Sequence, residues 1–119
     1  MTLNGVLRPR SAGANMADEL NVTNNEKQQR YELSVDGLLA ISQYERRGDE
    51  IVFTHTEVPE ALEGRGVGSA LARAALDDAR AKHLTVVPQC PFVRAYIGRH
   101  REYLDLVEPS RRREIEQSA

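Results

Sequence analysis

The stretch Glu63-Gly64-Arg65-Gly66-Val67-Gly68 lies between a β-branched run and an alanine-rich periodic segment, and it constrains this chain more than any other feature. Alternating glycines between a strand and a helix read as a tight turn opening the helix. The first amides of a helix have no carbonyl partner within it, and the helix dipole adds positive potential at the same point, so such a turn suits a phosphate. Without β-carbons, Gly64, Gly66 and Gly68 let the backbone approach an anion closely. Arg65 and the Ser69 hydroxyl are candidates for further bonds to it. From spacing alone, a loop that merely turns the chain is the alternative. A Walker loop needs a lysine before its serine, whereas this chain has Val67-Gly68-Ser69. A dinucleotide fingerprint needs a third glycine where Leu71 stands.

The flanks support the turn. Tyr31, Leu33 and Val35 alternate with Glu32, Ser34 and Asp36, which predicts a half-buried strand, and Asp36-Gly37 is a hairpin signal leading to a second strand over Leu38–Tyr44. Arg46-Arg47-Gly48-Asp49 predicts another turn, and Glu50–Val58, rich in β-branched residues and stopped by Pro59, a third strand. Val67, Ala70, Leu71, Ala74, Ala75 and Ala79 recur at helical spacing, which predicts a long helix over about 66–82, with Arg73, Asp77, Asp78 and Arg80 facing away. Leu84–Val87 reads as a short buried strand, and Pro91 as the first residue of a helix running to about Arg99. The fold class is therefore α/β in the α+β sense. The domain is expected over residues 30–108, with a disordered extension over 1–29 and a polar tail over 109–119. Met16 is a second candidate start, which would make residues 1–15 an extension.

With 16 Lys and Arg against 18 Asp and Glu, the chain has no strong positive bias, and nucleic acid is not an expected partner. Arg111–Arg113 is the only dense basic cluster and reads as a solvated helix face or frayed end. No apolar run approaches the roughly 20 residues of a membrane span, so no membrane association is expected. A single cysteine excludes an internal disulfide and fits a cytoplasmic setting. His55, His83, His100 and Cys90 lack the paired spacing of zinc ligands, so no metal is assigned.

The turn and the helix after it resemble the GNAT superfamily of acyl-CoA N-acyltransferases, whose motif reads Gln/Arg-x-x-Gly-x-Gly/Ala. Glu63 departs from the first position, so no side-chain role passes to it. His55-Thr56-Glu57-Val58-Pro59 before the turn, and Val87-Pro88-Gln89-Cys90-Pro91-Phe92 with Tyr96 and His100 after it, resemble a subgroup of very small, cysteine-containing members. The resemblance spans about Tyr31 to Val107. It implies a mostly antiparallel central sheet flanked by one long cofactor-binding helix and a shorter C-terminal helix, with acetyl-CoA as co-substrate and N-acetyl transfer to an unidentified amine. It also implies cofactor contacts from Thr56, Glu57 and Val58, from Gly64 through Ser69, and from Pro91 and Phe92.

Acetyl transfer needs donors for the carbonyl oxygen and a route for protons. Cys90 precedes a proline-initiated helix, whose N-terminus favours a thiolate, and is a candidate to carry an acetyl-cysteine intermediate. A small buried hydrophobe is the alternative for a lone cysteine. Tyr96 is a candidate general acid, with core packing as its alternative. His55, alternating with Phe53 and Glu57, reads as a half-buried structural residue, with a proton acceptor near the cofactor as its alternative. His100 reads equally as a cleft or a surface residue. So short a chain has few residues left to enclose a small acceptor, which favours an amine on a macromolecule. A CoA-binding module without turnover shares every feature of the turn.

Overall fold

The computed structural model describes residues 21–118. Five strands, β1 (Thr23–Asn25), β2 (Arg30–Val35), β3 (Leu38–Arg47), β4 (Glu50–Glu57) and β5 (Thr85–Pro88), form one sheet in chain order. The first three pairings are antiparallel and the last, β4 with β5, is parallel. A parallel neighbour requires a crossover, here supplied by helix α1 (Val67–Ala81). Helix α2 (Pro91–Arg99) follows β5, then a six-residue 3-10 turn (Arg101–Leu106) and helix α3 (Pro109–Ser118). The sheet is mixed α/β with mainly antiparallel pairing, as the alternation and the long helical period require.

Local chemistry sets the connections. Asp36 and Gly37 both have positive φ, 52° and 77°, the conformation that two-residue hairpins demand. Tyr31, Tyr44 and Phe53 meet on one sheet face with ring centroids 5.3 to 6.5 Å apart. With Leu33, Leu71, Leu76 and Ile97 they form the core. Two residues expected to face solvent tie α1 down. Asp78 accepts a 2.6 Å hydrogen bond from the buried Tyr31 hydroxyl, and Asp77 one of 2.7 Å from Tyr103. Burial, followed by those bonds, pushes both phenols above the ordinary tyrosine range. Arg80 grips both oxygens of Asp105 at 2.9 and 3.0 Å and holds that carboxyl below the usual range.

Two readings of the chain ends differ from the structure. Within the expected extension, Thr23–Asn25 pairs with β2, because Tyr44 donates its hydroxyl to Asn24 and Glu32 accepts from Asn25. Met1–Leu20 lie outside the described residues, and the expectation for them lies there too. The expected polar tail is helical over Pro109–Ser118. Its Ile115 is buried in the core, and Arg112 donates to the Val107 carbonyl at 2.8 Å. One apolar residue among many charges leaves no periodicity to detect.

Candidate active site

The site begins with a register break. Gln43 pairs with His55 and Tyr44 with Phe53, so Thr54 is an extra residue that bulges β4. The bulge reverses the faces beyond it. Phe53 and Thr56 lie on the helix-covered face, opposite Tyr44 and Ser42, whereas His55 and Glu57 lie on the other. His55 is accordingly exposed, 3.9 Å from Glu57, and not the half-buried residue that simple alternation predicts. Pairing with β5 also stops at Phe53, so the edge of β4 from Thr54 to Glu57 has no neighbouring strand on that side. A free strand edge offers backbone donors and acceptors to an extended ligand.

Across from this edge sits the glycine turn. Gly64 and Gly66 have φ of 82° and 78°, left-handed values that side chains rarely adopt, and Gly66 is the N-cap of α1. No side chain caps the helix and its first turn holds no acidic residue, so the amides of Val67, Gly68 and Ser69 face outward unneutralised. Gly68 also serves packing. A β-carbon there would lie 2.8 Å from the tip of Phe92, so the missing side chain lets α2 close against α1.

Edge and turn together enclose a cleft of about 610 Å³ lined by Thr56–Val58, Leu62–Gly64, Gly66–Ser69 and Phe92. Nearly all the residues expected at a cofactor site are therefore assembled here. Leu62 and Glu63 line the cleft too. The sequence reading passed over Leu62, a buried anchor beneath the turn, and gave Glu63 no role. Two expected residues lie elsewhere. The Arg65 guanidinium bonds Asp36 at 2.9 Å on the β2–β3 hairpin and does not line the cleft. Pro91 is exposed at the start of α2, also outside the lining.

Cys90 is the N-cap of α2, and its amide donates to the Phe53 carbonyl at 2.9 Å, which fixes it beside the bulge. The residue is 3% exposed, and its sulfur lies 3.3 Å from the hydroxyl of Thr56, which lines the cleft. Tyr96 is 1% exposed and stacks on the half-buried His100 at 4.1 Å between centroids, and neither lines the cleft. Among the described residues no group of His, Cys, Asp and Glu is placed to hold a metal, and no helix is long and apolar enough to cross a membrane.

The donor set fits the pyrophosphate and pantetheine arm of CoA. Left-handed glycines and open helix amides suit the phosphates, and a free strand edge suits the amide-bearing arm. A family model described as GCN5-related N-acetyl-transferase matches residues 30–106. Protein NATD1 of Gallus gallus is 32% identical over 95 residues, covering 76% of this chain and 86% of that protein. For Protein NATD1 of Homo sapiens the identity is 30% over 95 residues, covering 76% and 84%. For that of Xenopus tropicalis it is 29% over 98 residues, covering 78% and 90%. This chain belongs to the GCN5-related N-acetyltransferase family.

Proposed function

We propose that this chain is an acetyl-CoA-dependent N-acetyltransferase for an amine. The observation that carries the reading is the convergence of the free β4 edge and the uncapped start of α1 on one cleft, with the Cys90 sulfur against the Thr56 hydroxyl. Acetyl-CoA, when bound, supplies the acetyl group as a thioester. The amides of Val67–Ser69 hold its phosphates, and the backbone of Thr56–Val58 its arm and carbonyl.

In the covalent route the Cys90 thiolate takes the acetyl carbon as the thioester C–S bond breaks. The acceptor nitrogen then gives up one proton, takes the acetyl group and restores the thiolate. In the direct route the amine attacks at once, the thioester C–S bond breaks, the Tyr96 phenol protonates the departing sulfur, and the proton lost from nitrogen to solvent is balanced by one that solvent returns to the phenol. An amine on a macromolecule suits a cleft this open. Intact-mass analysis after incubation with acetyl-CoA is expected to show one added acetyl group on the wild type and none on Cys90→Ala. If neither protein gains one, the direct route replaces the covalent one.

Binding of CoA without turnover is the second reading, favoured by the burial of both Cys90 and Tyr96. A panel of amines assayed with acetyl-CoA separates the two, since acetylated product from any member rules out a pure binding module.

A further inference from the structure

Ser42 lies on β3 directly opposite Thr56 in the register and on the same helix-covered face. It is the one buried polar residue beside the core, 1% exposed, and its hydroxyl has no hydrogen-bond partner among the described residues. A buried hydroxyl without a partner is costly, and a serine retained in such a place calls for a reason. Its neighbour Thr56 already contacts the Cys90 sulfur at 3.3 Å, an arrangement in which either atom is able to donate. Register thus places Ser42 beside Thr56, which lines the cleft and contacts the Cys90 sulfur, on three adjacent segments.

We propose that Thr56 and Ser42 are positioning residues that stabilise the thiolate of Cys90, an inference that rests on the reading of Cys90 as nucleophile. Once the thiol proton has left to solvent, sulfur only accepts, so Thr56 becomes the donor. The oxygen of Thr56 then has a lone pair for the Ser42 proton. Directly opposed residues in an antiparallel pair hold their β-carbons about 4.5–5.5 Å apart, so a change of the Ser42 side-chain rotamer brings its now unpartnered hydroxyl to the Thr56 oxygen. Two donors in series polarise each other and strengthen the bond to sulfur.

The start of α2 adds to the same effect. Pro91 has no N–H and no side chain caps the helix, so the positive end of α2, opening at Cys90, is left unneutralised. The bond from the Cys90 amide to the Phe53 carbonyl, just before the Thr54 bulge, keeps the sulfur and Thr56 in register.

The test follows the ultraviolet thiolate absorbance against pH, with each curve corrected by the same protein carrying Cys90→Ala. A single cysteine makes the difference that of one sulfur. Thr56→Val is expected to move the thiolate transition about one pH unit upward, or about tenfold less thiolate at a given pH, since one unit is a tenfold change in the equilibrium. Ser42→Ala is expected to move it in the same direction by a smaller amount, and Thr56→Ser to restore the wild-type curve. A Thr56→Val curve that superimposes on the wild type overturns the proposal, as does a Thr56→Ser curve that follows Thr56→Val. If Thr56→Val fails to fold, a Ser42→Ala curve unchanged from the wild type overturns it equally. The absorbance needs no acetyl-CoA, so a shifted curve in a protein that never forms acetyl-cysteine supports the stabilised thiolate and sinks the covalent route alone.

Discussion

The two ends of α1 follow opposite rules. At its C-terminal end Asp77 and Asp78 accept hydroxyls from Tyr103 and Tyr31, Arg80 grips Asp105, and Lys82 bonds Asp78 at 2.9 Å. At its N-terminal end no side chain caps the helix, no acid neutralises it, and its amides open on the cleft. One end is satisfied by the protein, and the other is left for a ligand to satisfy. A single rigid helix therefore transmits the anchoring of its far end to the ligand site without spending protein groups there.

The comparison breaks first at its anchored end. Tyr31→Phe removes a charge-assisted hydrogen bond and is expected to cost about 1.5–3 kcal/mol of stability in thermal unfolding, with CoA affinity unchanged by calorimetry. An affinity loss as large as the stability loss would mean that the two ends do not act separately. The pH dependence carries the same signature. The folded Tyr31 phenol stays protonated above the pH near 10 at which the unfolded one ionises, so its contribution is complete below pH 10. Above that pH stability declines, by up to about 1.4 kcal/mol per pH unit for each such tyrosine. Melting temperatures of Tyr31→Phe above pH 10 are expected to fall less steeply than those of the wild type.

At the open end, Gly66→Val forces a β-branched side chain into a left-handed conformation, at about 1–2 kcal/mol. If ligand binding is what holds the turn open, CoA affinity falls by roughly 5- to 30-fold in titration calorimetry. A variant that binds CoA normally would remove the glycine turn from the site. The smallest effect is expected from Arg65→Ala. Its pair with Asp36 is exposed, so stability should change by less than about 1 kcal/mol and CoA affinity by less than about twofold. A larger loss of affinity that disappears in high salt would show the guanidinium reaching the phosphates and would blur the contrast between the two ends.

Legibility in the sequence followed the range of the interactions concerned. The bounds of α2, the Asp36-Gly37 hairpin and the glycine turn were all readable, because proline geometry and positive φ are properties of a residue and its immediate neighbours. The Thr54 bulge was not, since it exists only relative to β3, and with it the true face of His55 was hidden. The packing role of Gly68 was hidden for a related reason, since the ring that fills the space beside it comes from Phe92 on another helix. Asp77 and Asp78 look solvent-facing on a helical wheel, and nothing local shows that Tyr103 and Tyr31, 26 and 47 residues away, donate to them.

What the chain by itself determined was its vocabulary of elements and one turn chemistry, which follow from backbone dihedrals and hydrophobic period. Tertiary structure decided where these meet. It ended the β4–β5 pairing at Phe53 to free a strand edge, brought that edge against the uncapped start of α1, and set the only cysteine against Thr56. The physical reason is that a bulge, a free edge and a buried thiol against a cleft-lining hydroxyl are defined by pairing and burial between distant segments, and no local propensity records them.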